Sequence, residues 1–293
     1  MDGIININKP KGFTSHDVVA KLRGILKTKK IGHTGTLDPD AVGVLPICVG
    51  KGTKVADMLT ATEKEYLAEV TLGTKTDTQD SSGTVIATHE VNVTEEDIYR
   101  VAEKFVGESE QIPPMYSAIK QDGKKLYELA RSGIEVERAP RPITIHEIEV
   151  MGVDLKNHKF SMRVACSKGT YIRTLCQDMG DELGCFAHMS ALTRTRSGRF
   201  SLEDSLTLEE VERCAKAEEF GFLMPVDSVF EELPALYLSQ RKAQLMCNGV
   251  QVRTPGIQEG TLYRVYDEKG NFLTVSLAED GMLKIQKTFF QGK

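Results

Sequence analysis

Hydrophobic and polar residues alternate most regularly between residues 64 and 72. Tyr66, Ala68, Val70 and Leu72 fall on one side of this segment. Because successive side chains of a β-strand point to opposite faces, this period of two predicts a strand with one buried face.

Helical spacing of apolar residues is clearest in residues 17–27, and helices are also predicted at 94–105 and 208–219. Each of these segments follows residues that can satisfy the free N–H groups of a first helical turn. These capping residues are Thr14 or Ser15 for the first helix, Thr94 with Asp97 for the second, and Thr207 with Glu210 for the third.

The remaining chain mixes strands and helices without a regular β-α-β alternation, which favours an α+β fold over a doubly wound sheet. A small β-rich unit is expected at 236–293, after a larger one at 1–235. The Gly- and Pro-rich run at 31–43 predicts a loop. Further strands are predicted at 3–8, 44–49, 84–88, 143–153, 159–166, 261–265 and 272–277, and further helices at 53–59, 126–131 and 171–183.

The formal net charge of the 293 residues is −5, but the charge is unevenly distributed. Residues 1–60 hold nine Lys/Arg and five Asp/Glu, residues 159–200 hold seven and three, and residues 201–234 hold two and ten. Two basic segments beside an acidic one fit a polyanion bound on one face, and they fit solvated surfaces of uneven sign as well.

The six cysteines form no Cys-x-x-Cys pair and no Cys/His cluster at zinc spacing. Scattered thiols are typical of a reducing compartment. No signal-peptide pattern and no apolar run of membrane-spanning length is present. We therefore expect a cytoplasmic protein without a metal ion or a membrane segment. The motifs of P-loop proteins, α/β-hydrolases and zinc proteases do not occur either, which argues against those classes.

The most distinctive segment is GHTGTLDPDAVGVLP at 32–46. Pro39 keeps Asp38 out of the helical region and stiffens the backbone around it. A carboxylate on such a loop can serve as a nucleophile or a general base. Asp38 also fits a tight turn in which its side chain accepts backbone hydrogen bonds.

This segment resembles the nucleophile loop of the TruB family of pseudouridine synthases. The tail is similar, more weakly, to the small RNA-binding domain of PUA type in bacterial members. Four further segments resemble family motifs in the same order: NKPKGFTS at 8–15, KEYLAEVTLGTKTDTQDSSG at 64–83, PPMYSAIKQDGKKLYELARSG at 113–133 and CSKGTYIRTLCQDMG at 166–180.

The resemblance implies a pseudouridine-synthase fold, with a mixed, largely antiparallel central sheet flanked by helices. It makes 1–235 the catalytic domain and 236–293 a PUA-like domain, with a segment near 107–142 that grips the T-arm of tRNA. The implied reaction isomerises uridine 55 of the T-loop to pseudouridine by base flipping, with no cofactor, in a monomer.

Three residues receive catalytic roles from the resemblance. Asp38 is the nucleophile, Tyr66 stacks on the flipped base near the proton that moves, and Arg173 pairs with the nucleophile. From the residues alone, Tyr66 also fits a strand core and Arg173 a surface cation.

Substrate-binding roles follow in the same way. Tyr171 and Leu192 shape the uracil pocket, and His33 enters the space that flipped bases leave. Lys9 and Lys54 are candidate phosphate contacts. Leu192 equally fits a core leucine, His33 a loop histidine, and each lysine a solvated side chain.

Two other functions are compatible with the same motifs. One is a non-catalytic protein that binds or folds tRNA with this surface, and the other is a guide-RNA-dependent relative of archaea and eukaryotes. The joint presence of Asp38, Tyr66 and Arg173 favours the enzyme. The short chain without a Lys-rich tail disfavours the guide-dependent relative.

Overall fold

The computed structural model describes residues 1–290, so the last three residues of the predicted unit at 236–293 lie outside the described residues. The strands are β1 (Gly3–Lys9), β2 (Ile31–His33), β3 (Val42–Val49), β4 (Lys64–Leu72), β5 (Thr74–Thr76), β6 (Val85–Thr88), β7 (Gly107–Gln111), β8 (Lys120–Gln121), β9 (Lys124–Lys125), β10 (Arg141–Asp154), β11 (Lys159–Cys166), β12 (Ala187–Ser197), β13 (Phe200–Ser201), β14 (Ala235–Leu238), β15 (Val252–Arg253), β16 (Leu262–Asp267), β17 (Phe272–Glu279) and β18 (Met282–Thr288). The helices are α1 (Ser15–Leu26), α2 (Ala56–Thr60), α3 (Glu95–Lys104), α4 (Leu126–Arg131), α5 (Ile172–Glu182), α6 (Leu208–Lys216) and α7 (Gln240–Cys247), with 3-10 turns at Gly50–Val55, Leu155–Asn157 and Val226–Phe230.

The larger sheet has nine strands. Its order is β1-β3-β12-β4-β11-β10-β7, with β2 paired to β3 and β13 to β12. Only β3 and β12 run parallel; the other pairs in this sheet are antiparallel. Helices α3 and α5 share a hydrophobic core with β4, β10, β11 and β12, while α1 and α6 pack against β1 and β3. The predicted α+β class with a mixed, largely antiparallel sheet is confirmed.

Strand β4 occupies the segment with the regular alternation, and its bounds are the predicted ones. It lies between β11 and β12 in the middle of the sheet. Tyr66, Ala68, Val70 and Leu72 are buried, as the alternation predicted. All three predicted caps are also present, with Thr14, Thr94 and Thr207 as the N-cap residues.

The smaller sheet has five strands in the order β14-β16-β17-β18-β15, and α7 packs on it. The predicted hairpin at 261–265 and 272–277 is the antiparallel pair β16–β17. One hydrophobic cluster joins the two sheets, because Ile4 and Val44 of the larger sheet pack with Val275 of the smaller sheet and with Phe289, which directly follows β18. The assignment of 236–293 as a separate RNA-binding domain stays a prediction.

Several elements differ from the sequence-based expectation. Ile31–His33, predicted as loop, forms β2 because it pairs with β3. Helix α6 ends at Lys216 rather than at 219, and Glu218 adopts a left-handed φ of 59° that a helix cannot continue through. Strand β12 was not predicted, since two bulges and the buried charge of Arg194 interrupt its alternation. Helix α7 was also missed in a segment expected to be β-rich.

Three further observations concern residues 1–290. No helix among them has both the length and the hydrophobicity to cross a membrane. All six cysteines are free, and four of them are buried. Within these residues, no group of three or more His, Cys, Asp or Glu side chains is placed to hold a metal ion.

Gly43 permits the parallel contact between β3 and β12, where it pairs with Arg194. Its φ is +103°, and a Cβ atom added there would lie 2.3 Å from the carbonyl oxygen of Arg194. We expect Gly43→Ala to lower the free energy of unfolding by at least about 2 kcal/mol, because both the conformation and the contact become strained. Denaturant-induced unfolding measures this change.

Gly24→Ala is the matched control. Gly24 lies inside α1, and nothing lies within 4 Å of an added Cβ. This variant should gain about 0.5–1 kcal/mol, because alanine favours a helix over glycine. Equal stabilities of the two variants would contradict the proposed constraint at Gly43.

Candidate active site

Asp38 lies in the loop between β2 and β3, and hydrogen bonds hold this loop on both sides. The Ser15 hydroxyl accepts from the backbone N–H of Leu37 at 2.8 Å and donates to the Leu37 carbonyl at 3.2 Å. Thr34 donates to the Pro46 carbonyl through its N–H at 3.1 Å and its hydroxyl at 3.2 Å. The carboxylate is therefore presented from a fixed backbone.

Arg173 of α5 faces this carboxylate and is 4% exposed. Its Nε lies 2.9 Å from Oδ2 of Asp38, and its Nη2 donates to Oδ1 at 3.3 Å. The same guanidinium donates to the carbonyl of Thr78 at 2.9 Å and to that of Tyr116 at 2.8 Å. Acceptors on three separate chain segments thus hold the guanidinium in place, and two of its nitrogens bind the two oxygens of Asp38.

A second carboxylate, Asp80, lies beside the pair, and sequence reasoning did not single it out. Its Oδ2 is 3.8 Å from Nε of Arg173. Its Oδ1 accepts from the Thr78 hydroxyl at 2.7 Å and from the N–H and hydroxyl of Ser82 at 3.0 and 2.6 Å. The available signal was an acidic residue within a motif-like segment, but the surrounding polar residues suggested a solvated turn.

Burial raises the pKa of the Asp38 carboxyl above its ordinary value. Arg173 opposes this shift, and the negative charge of Asp80 adds to it. The surrounding protein limits hydration although 34% of the Asp38 side chain stays exposed, so a ligand can reach it. As the pH falls, Asp38 consequently loses its ionised form at a higher pH than a solvated aspartate does.

Tyr66 and Leu192 lie next to the loop that carries Asp38. Both are 8% exposed, and they share a hydrophobic cluster with Leu37 and Ala41, which flank Asp38 in the chain. Burial raises the pKa of the Tyr66 hydroxyl, so the phenol is neutral near pH 7. Tyr66 can therefore offer a flat apolar face and a neutral O–H group to a ligand.

Tyr171 and His33 are the other predicted substrate contacts, and both are half-buried. Tyr171 immediately precedes α5, and burial raises the pKa of its hydroxyl. His33 ends β2, and burial lowers the pKa of its imidazole, with Arg194 and His16 adding to the effect. Its Nδ1 has no hydrogen-bond partner among residues 1–290. His33 is thus a neutral imidazole with a free polar atom.

Arg194 was also missed by the sequence-based reading. It lies in β12 opposite Tyr66 and is 1% exposed. Its Nε donates to the Val44 carbonyl at 2.7 Å and its Nη2 to the Gly35 carbonyl at 3.3 Å. It therefore anchors the start of the loop that carries Asp38 to the sheet. The alternation of Arg and Thr at 193–196 was the only signal for an inward-facing arginine.

The structure corrects the predicted phosphate contact at Lys9. This residue is 0% exposed, and its ammonium donates to the carbonyls of Pro10 at 3.0 Å, Phe13 at 2.5 Å and Pro39 at 3.0 Å. An ammonium has three N–H donors, so none is left for a phosphate. Burial lowers the pKa of Lys9 to about 8. Lys9 instead holds the loop that carries Asp38 against the segment after β1.

Lys54 also makes hydrogen bonds within the protein. Its ammonium donates to the carbonyl of Thr288 at 2.7 Å and to the Thr288 hydroxyl at 3.2 Å. Lys287 donates in turn to the Lys54 carbonyl at 3.0 Å. Lys54 thereby links the 3-10 turn after β3 to the end of β18. It is exposed and keeps a third N–H donor, so its phosphate contact stays a prediction.

A cavity of about 420 Å³ lies within the segment 107–142, away from Asp38. Three basic side chains, Lys120, Arg138 and Arg141, line it together with Glu137. The excess of positive charge fits an anionic group of a ligand.

Comparisons with known proteins agree with this geometry. The model of the TruB family pseudouridylate synthase N-terminal domain matches residues 23–172. The models of the tRNA pseudouridylate synthase B C-terminal domain and of the pseudouridine synthase II TruB C-terminal region match residues 173–231 and 234–286. The tRNA pseudouridine synthase B of Clostridium kluyveri is 44% identical over 293 residues, covering 99% of this chain and 100% of the relative. That of Bacillus subtilis is 44% identical over 307 residues, covering 99% and 98%.

Solved structures show the same fold. The crystal structure of a Cbf5-Nop10-Gar1 complex matches with a TM-score of 0.71 and 30% identity, covering 98% of this chain and 85% of the matched chain. The structure of an H/ACA RNP bound to a substrate RNA containing 2'-deoxyuridine matches with a TM-score of 0.71 and 27% identity, covering 99% and 86%.

Asp80→Asn tests the electrostatics of the site. The amide keeps an acceptor oxygen for Thr78 and Ser82 but removes the negative charge that raises the pKa of Asp38. We expect the pKa of Asp38 to fall in this variant, as measured by a ¹³C NMR titration of labelled aspartate. Asp77→Asn is the control, because Asp77 caps Thr84 in the same turn. An unchanged or raised Asp38 pKa in Asp80→Asn would contradict the arrangement.

Proposed function

The chain belongs to the TruB family of pseudouridylate synthases, and we propose that it isomerises uridine 55 in the T-loop of tRNA with Asp38 as the nucleophile. The observation that carries the proposal is the ion pair between Asp38 and the buried Arg173 on a fixed, accessible loop. The relatives named tRNA pseudouridine synthase B support tRNA as the substrate.

In the proposed reaction the bond between N1 of uracil and C1′ of the ribose breaks, and a bond between C5 and C1′ forms. The proton on C5 leaves, and N1 gains a proton, so the mass of the RNA is unchanged. Asp38 forms a transient covalent bond to the uridine, and this bond breaks before the product is released. Arg173 keeps the carboxylate ionised and oriented for this attack.

Tyr66 and Leu192 supply the pocket for the flipped base. Tyr66 stacks on the uracil, and its neutral hydroxyl lies near the C5 proton. Leu192 and Tyr171 complete the apolar walls. His33, with its free Nδ1, occupies the space that the extruded bases leave, which offsets part of the few kcal/mol that unstacking requires.

The segment 107–142 grips the T-arm in this proposal, and its cavity with Lys120, Arg138 and Arg141 offers cationic contacts to the RNA backbone. The smaller sheet serves as a PUA-like RNA-binding domain. The enzyme acts as a cytoplasmic monomer and needs no metal or cofactor. The identity of 44% to the relatives named tRNA pseudouridine synthase B, against 30% to Cbf5, favours tRNA over a guide-dependent reaction.

Asp38→Asn is expected to abolish isomerisation, because an amide is a poor nucleophile. The variant keeps the shape of the site, so its affinity for tRNA should stay within about tenfold of the parent, or ~1.4 kcal/mol. A single-turnover assay on unmodified tRNA transcript and a binding titration measure the two quantities. Asp40→Asn, at an exposed position of the same loop, should retain activity. Substantial turnover by Asp38→Asn would remove Asp38 as the nucleophile.

Arg173→Lys should lower the single-turnover rate by about tenfold or more, with affinity for tRNA within about threefold. Lysine keeps the charge but lacks the planar fork that reaches Asp38, Thr78 and Tyr116 together. Arg163→Lys is the matched control, because Arg163 pairs with Glu147 and Glu149 on the exposed face of the sheet. An unchanged rate in Arg173→Lys would refute the orienting role.

A further inference from the structure

Gln111 is a buried amide at the end of an exposed strand. In β7 the three preceding residues, Glu108 to Glu110, are exposed, whereas Gln111 is 5% exposed. A buried amide group loses free energy unless both its N–H and C=O groups find partners. The burial of Gln111 therefore requires hydrogen-bond partners for both ends of its amide.

Both ends of this amide bond to the backbone of one residue, Tyr171. The Tyr171 N–H donates to Oε1 at 2.8 Å, and Nε2 donates to the Tyr171 carbonyl at 3.1 Å. Because the Tyr171 N–H is a donor, the amide atom that faces it must be the oxygen, and the nitrogen must face the Tyr171 carbonyl. These two hydrogen bonds resemble the pair that two opposite residues of antiparallel strands exchange, except that the side chain of Gln111 replaces one of the two backbones.

Tyr171 is the N-cap residue of α5 and has extended backbone angles, φ −96° and ψ 108°. Its side chain makes no capping hydrogen bond, and its carbonyl also accepts from the N–H of Leu175 at 3.1 Å. Gln111 therefore fixes the carbonyl with which α5 begins. Arg173 lies two residues further on, so the start of the helix decides where its guanidinium points.

The residues that follow Gln111 in the chain also contact Arg173. Pro113 and Pro114 restrict the backbone that follows Gln111. The Tyr116 carbonyl then accepts from Nη2 of Arg173 at 2.8 Å. One short, stiff stretch at the start of the segment 107–142 thus contacts both Tyr171 and Arg173.

We propose that Gln111 is a positioning residue, which holds Arg173 in line with Asp38 and couples this arrangement to the RNA-gripping segment. This inference rests on the proposed function. Its experimental signature is a loss of rate on bound tRNA, rather than a loss of affinity for tRNA.

The test uses Gln111→Ala and Gln111→Glu in the full chain, with single-turnover assays on tRNA transcript across a pH series. Gln111→Ala should lower the rate at saturating tRNA by about tenfold or more, with affinity within about threefold, because small misplacements of catalytic groups are costly. Its acid limb should shift to higher pH, because Arg173 then holds the Asp38 carboxylate less well.

Gln111→Glu supplies a readout specific to the double hydrogen bond. A protonated carboxyl group has one donor and one acceptor and can restore both bonds, whereas a carboxylate opposes the Tyr171 carbonyl. The rate of Gln111→Glu relative to the parent should therefore rise as the pH falls. The same ratio should stay flat for Gln177→Glu, a half-exposed glutamine of α5, and should not rise for Gln111→Ala.

Each outcome decides between the alternatives. If the parent itself does not modify the transcript, the proposed function fails. If the parent is active and folded Gln111→Ala keeps its rate, or loses only affinity or thermal stability, the positioning role is overturned. If Gln111→Ala does not fold, the pH dependence of the Gln111→Glu ratio decides, and a flat ratio overturns the inference.

Discussion

The ion pair between Arg173 and Asp38 is the interaction on which the rest of the site depends. A buried guanidinium is stable only when its N–H groups have acceptors, and removal of one partner of a buried pair typically costs about 3–5 kcal/mol. Arg173 obtains its acceptors from Asp38, from the turn at Thr78 and from Tyr116. Segments far apart in the chain must therefore be in place together before Asp38 is ionised and aligned.

The larger sheet also buries basic side chains whose partners are backbone carbonyls rather than carboxylates. Lys9, Lys64 and Arg194 are each at most 6% exposed, and within residues 1–290 none of them forms an ion pair. Each donates to backbone carbonyls instead. Carbonyl dipoles solvate these cations without cancelling their charge. Lys9 and Arg194 thus place positive charge beside the loop that carries Asp38, although the net charge of the chain is −5.

The sequence predicted correctly those elements in which the local pattern of apolar residues matches their burial in the structure. Strand β4 was bounded correctly because it is regular and one of its faces is buried along its whole length. Strand β12 was missed because its bulges interrupt the alternation of buried and exposed side chains, and because an arginine is normally expected at the surface. Asp38 was selected as a candidate because of its distinctive loop, whereas Asp80 becomes a candidate only through its distance to Arg173. Lys9 shows the converse, since nothing local distinguishes a saturated buried lysine from a solvated one.

The hydrophobic cluster that Ile4 and Val44 share with Val275 and Phe289 makes the core of the larger sheet depend on the smaller one. A module attached by a linker can be lost or exchanged, because the core of its neighbour does not depend on it. Removing the smaller sheet here would expose apolar side chains of β1 and β3, and β3 directly follows the loop that carries Asp38. The larger sheet therefore relies on the smaller one to keep part of its core away from water.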